Sequence, residues 1–171
     1  NLHPEPRKII FLTFIAGAIT VVVALVLEKF IADIFPGDIN STTRYIFWSA
    51  AEEITKLLAV TAIALSSKEM DEPIDAMIYC ITVALGFAAI ENSLFIFTHL
   101  NIGDVTKGII AGNMRFMGAT LVHVISSASI GFMIGLTLYK NIFLKSISIT
   151  FGVILAITLH AAFNLSIIEV R

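Results

Sequence analysis

The sequence predicts an all-α fold: a polytopic transmembrane helical bundle of about five to seven helices. Three observations carry that prediction. Hydrophobic residues make up 57% of the 171-residue chain and charged residues only 14%, against about a quarter charged in a soluble domain. Mean hydropathy is +0.93, and the apolar residues gather into runs that approach or exceed the roughly 20 residues needed to cross a bilayer. No strand-like alternation competes, and a helix satisfies its own backbone hydrogen bonds in lipid.

Five apolar segments follow in order. The first covers about residues 9–27, between "NLHPEPRK" and "EKFIADIFPGDINSTTR". The second covers about residues 45–65 and ends at "SSKEMDEPID". The third covers about 76–97 and the fourth about 109–139, with an expected break near Gly112. The fifth covers about 147–168. Short connections make successive helices antiparallel neighbours. Gly131 and Gly135 in "GFMIG" are expected to pack against another helix of the same chain rather than to form a dimer seam. The oligomeric state is left unassigned.

Charge and cysteine content exclude several classes. A net charge of −2 with scattered lysines offers no face for nucleic acid. The single cysteine, Cys80, lies in an apolar run and reads as a small core residue, so neither a disulfide framework nor a cysteine-rich metal site is expected. Basic residues at the helix ends favour, by five to four, an orientation with the start of the chain in the cytoplasm. The chain begins with Asn1 and is expected to be a processed form or a core fragment.

The stretch "AAEEITKLLAV" at residues 50–60 places Glu52, Glu53 and Lys56 inside the second apolar segment. A charge at mid-helix costs roughly 3 kcal/mol on an insertion scale, and three cost about 9. The strongest apolar residues of the segment offset only about 4 kcal/mol, so these charges need partners from other helices. Ionisable groups inside a membrane are functional candidates by default. Within the helix, Lys56 can pair with Glu52 at i,i+4 or with Glu53 at i,i+3. It neutralises one glutamate and leaves the two unequal. Glu52 is the expected general base, because the i,i+4 spacing places it on the face shared with Lys56.

The remaining intramembrane polar residues are few. They are Glu91 and Asn92 in the third segment, Arg115, His123, Ser126 and Ser127 in the fourth, and His160 and Asn164 in the fifth. With antiparallel neighbours and a rise of 1.5 Å per residue, most of them fall on the order of 10 Å below one membrane face. The opposite halves of the second, third and fifth segments are almost wholly apolar. That asymmetry points to a one-sided cavity rather than an ion pathway.

Carboxylates, imidazoles and an amide in one layer suit hydrolysis. A glutamate can act as general base, and His160 and Asn164 can donate to an oxyanion. Alternatively, imidazoles and a carboxylate, with Glu91, His123 and His160 as the ligand set, can hold zinc while Glu52 or Glu53 acts as base. No cofactor is favoured, since there is no HExxH and the zinc alternative rests on residue types alone. Ser126 and Ser127 are expected to bond back to their own helix. Arg115 reads equally as a site member or an interfacial residue, and His3 and His99 as loop residues.

The motifs, in this order, resemble the PrsW family of intramembrane proteases, relatives of the CAAX-prenyl-protease and bacteriocin-processing group. The resemblance rests on "EP" followed by a basic residue (Glu5, Pro6, Arg7), "EEITK", the "PIDAMIYCITVALGFAAIEN" stretch with Phe87, Glu91 and Asn92, then His123, and finally "HAAFN". It implies one transmembrane protease domain over residues 1–171, in the plasma membrane, cutting a single-pass membrane protein such as an anti-sigma factor. It also implies that Glu52 and Glu53 activate water, that Glu91, His123 and His160 complete the site, and that Asn164 supports the oxyanion. Two positions depart from the CAAX-protease relatives: Lys56 stands where they carry arginine, and Glu91 where they carry histidine. The alternative class is a non-catalytic membrane binding or transport protein.

Overall fold

The computed structural model of the chain describes residues 4–35, 42–101 and 105–169, with side chains described for 4–35, 42–98 and 116–166. These residues form five α-helices and no strand. They are α1 (Arg7–Ile34), α2 (Thr42–Val60), α3 (Pro73–Asn101), α4 (Val105–Leu136) and α5 (Ile142–Glu169). One π turn, Thr61–Leu65, continues α2, and its Ser66 N–H reaches back five residues to the Thr61 carbonyl at 3.2 Å. α1, α3, α4 and α5 are long and apolar enough to cross a membrane. α2, which carries the charges, does not meet that measure.

Three of the helices, α1, α3 and α5, outrun the apolar segments at both ends. Hydropathy marks only the part of a helix that lipid can cover, whereas backbone hydrogen bonding continues into polar sequence. α1 therefore carries on through "EKFIADI", and α4 runs without the break expected near Gly112. Local chemistry sets the ends. Pro73 occupies the first position of α3, where a missing N–H costs nothing. Asp75 Oδ2 accepts the Asp71 and Glu72 N–H groups at 3.2 and 2.6 Å. Asn141 Oδ1 accepts the Leu144 N–H at 3.0 Å and caps α5. At the far end of α1, Arg44 donates to the Phe35 carbonyl at 2.5 Å, and Trp48 Nε1 to the Glu28 carbonyl at 3.1 Å. The first turns of α2 thus satisfy one carbonyl at the helix terminus, that of Phe35, and add a second donor to the Glu28 carbonyl within α1.

Contacting helices run in a ring, α1 to α3 to α4 to α5 to α2 and back to α1, with α2 also touching α3 and α4. Glycine permits the closest approaches. A Cβ at Gly17 would enter the Val83 backbone, and one at Gly86 the Phe14 backbone, so α1 and α3 cross at these two points. Gly131 and Gly135 meet the backbones of Ala76 and Pro73 in the same way. The "GFMIG" pair therefore seats α4 on α3 within one chain. Cys80 is a buried core residue, packed with Val60, Ala64, Tyr79 and Val83.

Before α1, Glu5 accepts a hydrogen bond from the Tyr79 hydroxyl on α3. Burial, chiefly, and the neighbouring Asp75 carboxylate hold the Glu5 carboxyl above its ordinary range, against the opposing effect of the Tyr79 bond.

Two predictions follow from this packing. Gly131→Ala should lower the thermal midpoint in detergent by an amount equivalent to about 1–3 kcal/mol. Gly118→Ala, which meets only the ring edge of Phe163, should change it much less, and equal effects would contradict the close α3–α4 crossing. Because the folded carboxyl of Glu5 titrates above its unfolded value, its stabilisation is fully present at acid pH and fades as pH rises through the folded value. Thermal midpoints measured across pH should show that decline in the wild type, relative to Glu5→Gln, whose neutral amide retains the acceptor.

Candidate active site

Glu53 is fully buried, and both of its carboxylate oxygens accept hydrogen bonds. Its Oε1 takes the Lys56 ammonium at 2.6 Å and His160 Nδ1 at 2.8 Å. Its Oε2 takes the Ser127 hydroxyl at 3.2 Å. Lys56 therefore pairs with Glu53 at i,i+3 and not with Glu52 at i,i+4, contrary to the expected alignment. Both spacings share a helix face. The choice falls to Glu53 because that carboxylate points to α4 and α5, where the further donors stand. Ser127 likewise bonds across to α2 rather than back to its own helix, while Ser126 Oγ is buried without a hydrogen-bond partner among the described residues.

Lys56 is 1% exposed. Its ammonium lies 3.1 Å from His123 Nδ1 and 4.9 Å from the centre of the Phe87 ring. On the other side of that imidazole, Nε2 meets Glu91 Oε2 at 2.7 Å. A carboxylate only accepts, and an ammonium only donates. His123 thus carries its hydrogen on Nε2 and presents the Nδ1 lone pair to Lys56. His160 is fixed by the same logic, with its hydrogen on Nδ1 toward Glu53 and its Nε2 lone pair free of that bond. The two rings meet edge to face, their centres 4.7 Å apart at 86°.

Glu52 stands between them. Its Oε2 lies 3.9 Å from His123 Nδ1 and 3.7 Å from His160 Nε2. Although buried, that oxygen has no hydrogen-bond partner among the described residues. Glu52, His123 and His160 offer one donor atom each within 4.8 Å of one another. Among the described residues this set, rather than Glu91 with the two histidines, is the one that converges. Glu91 is excluded from it because it binds the far nitrogen of His123, where it orients the ring.

The two amides lie around this centre. Asn92 donates to Thr120 at 3.0 Å and ties α3 to α4. Asn164, one turn beyond His160, donates to Ser49 at 3.4 Å, one turn before the glutamates on α2. Four helices thus place Glu52, Glu53, Lys56, Glu91, His123 and His160 together, with Asn164 and Asn92 flanking them. The side chains of His3, His99 and Arg115 lie outside the described residues.

Sequence reasoning missed Ser49 and gave Ser127 the wrong partner. Ser49 and Ser127 look like ordinary helix serines, and only the tertiary contacts single them out.

Known proteins resemble this chain. Residues 5–171 match the family model described as PrsW family intramembrane metalloprotease. The chain is 28% identical over 153 residues to Protease PrsW of Shouchella clausii, covering 88% of this chain and 66% of that relative. It is 24% identical over 160 residues to Protease PrsW of Oceanobacillus iheyensis, covering 94% and 70%. It is 28% identical over 166 residues to Protease PrsW of Clostridioides difficile, covering 94% and 67%. No solved structure gives a significant match. With four membrane-length apolar helices and a family match over residues 5–171, the chain is an integral membrane protein that belongs to the PrsW family of intramembrane proteases.

Proposed function

We propose that this chain is an endopeptidase that hydrolyses a peptide bond of a single-pass membrane protein, an anti-sigma factor being the substrate the family resemblance suggests, at the Glu52–His123–His160 centre. The reading is carried by one observation: a buried carboxylate oxygen without a hydrogen-bond partner faces two imidazole nitrogens. Those imidazoles are each held from behind by another carboxylate. Such anchoring fixes ring orientation and turns one lone pair of each ring toward Glu52, that of His123 also accepting from Lys56. Glu53 and Glu91 are positioning residues in this account. Asn164, whose bond to Ser49 is long at 3.4 Å, can turn its amide to the carbonyl oxygen of the substrate.

Water activation has two forms here. In the metal-free form, Glu52 takes the proton of the attacking water and passes it to the departing amine. In the metal-dependent form, Glu52, His123 and His160 would hold a divalent ion such as zinc, which would supply Lewis-acid chemistry. The donor set fits that second form. Three ligands of nitrogen and oxygen type are what catalytic zinc sites use, and the 3.7 and 3.9 Å separations are close to the roughly 3.4 Å edge expected for bonds near 2.1 Å. The hydrogen-bonded group holds two carboxylates, Glu53 and Glu91, against the Lys56 ammonium, and Glu52 beside it adds a third, so with neutral imidazoles the centre has a formal charge of −2 that a divalent cation would balance. We therefore favour the metal-dependent form, which agrees with the family description.

Cleavage of a single-pass substrate in proteoliposomes tests the reading. Glu52→Gln and His160→Ala should each slow cleavage on the order of 10²-fold or more while the variants still melt cooperatively. Glu53→Gln should slow it less, because an amide oxygen can still accept from His160. Unchanged cleavage in all three would sink the proteolytic assignment. Treatment with a chelator should abolish cleavage and added zinc restore it. Full activity after chelation would return the reading to Glu52 acting alone.

A further inference from the structure

The position of Lys56 bears on the site in a way that neither form of hydrolysis uses. Its ammonium donates to His123 Nδ1 at 3.1 Å. That is the lone pair which, together with Glu52 Oε2 and His160 Nε2, faces the centre of the site. The nitrogen cannot serve an ammonium and a metal at once. Lys56 is also 1% exposed and bonded to Glu53 at 2.6 Å, so it does not swing out to water when a metal arrives.

We propose that Lys56 is a resident cation that competes for the metal site, so that a divalent ion binds only by displacing its ammonium from His123 Nδ1. This rests on the metal-dependent form of the function proposed above. The exchange is balanced without proton loss. The Lys56–Nδ1 hydrogen bond breaks, the metal–Nδ1 bond forms, and the ammonium stays charged on Glu53 Oε1. Two costs then oppose the metal: loss of a charge-assisted hydrogen bond, and a positive charge left beside the ion. Both disappear when the lysine is removed, so both push affinity in the same direction. Lys56 accordingly lowers the affinity of a donor set that is otherwise well built, and it occupies the charged pocket when no metal is present.

The test is zinc affinity of the purified, metal-free full chain in detergent, measured by titration against a competing chromophoric chelator. Only binding that is lost in His160→Ala counts as binding at this site. Lys56→Leu should bind zinc roughly 10- to 100-fold more tightly than wild type. That substitution leaves Glu53 without its counter-charge and is exposed to a folding defect. The second comparison is therefore Glu53→Gln against Glu53→Gln combined with Lys56→Leu, where no buried carboxylate is left unpaired at this position. The double variant should again bind more tightly than its single parent. If wild type binds zinc and the lysine-free chains bind it equally or more weakly, the competition is refuted and the metal reading stands. If only the lysine-free chains bind, the competition holds and the metal-dependent reading of the wild type fails. If none binds, both are overturned.

Discussion

The Glu53 carboxylate is the point on which the interior of this protein turns. It is fully buried in helices that lipid surrounds, and an unpaired charge there is unsustainable. Lys56 supplies the countercharge from the same helix, His160 a donor from α5 and Ser127 a donor from α4. One side chain therefore ties three helices. Removing a single partner from such a buried pair typically costs about 3–5 kcal/mol. The cost follows from desolvation, because the remaining charge has no water to return to.

That engagement of both oxygens makes the neighbouring glutamate different in kind. Successive residues on a helix point about 100° apart, so Glu52 faces the gap between the two imidazoles while Glu53 faces α4 and α5. One carboxylate has both oxygens hydrogen-bonded, and the other keeps an oxygen without a hydrogen-bond partner among the described residues. Two identical side chains, adjacent in sequence, thus take separate tasks, one holding the framework and the other facing the chemistry. Phe87, 5.1 Å from His123 between ring centres and beneath the Lys56 ammonium, adds an apolar wall that keeps these polar contacts from competing with solvent.

The far end of the molecule serves the same centre by fixing α3. Its glycine crossings with α1 and α4 bring backbones together as no side-chain-bearing residue would allow, and Glu5 reaches from ahead of α1 to Tyr79. In lipid, close packing and hydrogen bonds replace the hydrophobic force that gathers helices in water. A helix seated this way presents Glu91 at a definite depth, and His123 takes its orientation from it.

The sequence by itself determined the helical, membrane-embedded character, the five helices in order and the single layer of rare polar groups. Composition, hydropathy and the 1.5 Å rise per residue are local properties, and they suffice for depth. Rotation about each helix axis is another matter, since it depends on which faces the other helices cover. Only the tertiary structure decided that Lys56 joins Glu53 rather than Glu52, that Glu91 stands behind His123 rather than beside Glu52, and that Ser127 and Ser49 belong to the network. The helix ends, too, escaped the apolar pattern, because backbone hydrogen bonding extends where lipid does not. Spacing along the chain sets how deep a residue lies in the membrane, and packing between helices sets what it touches.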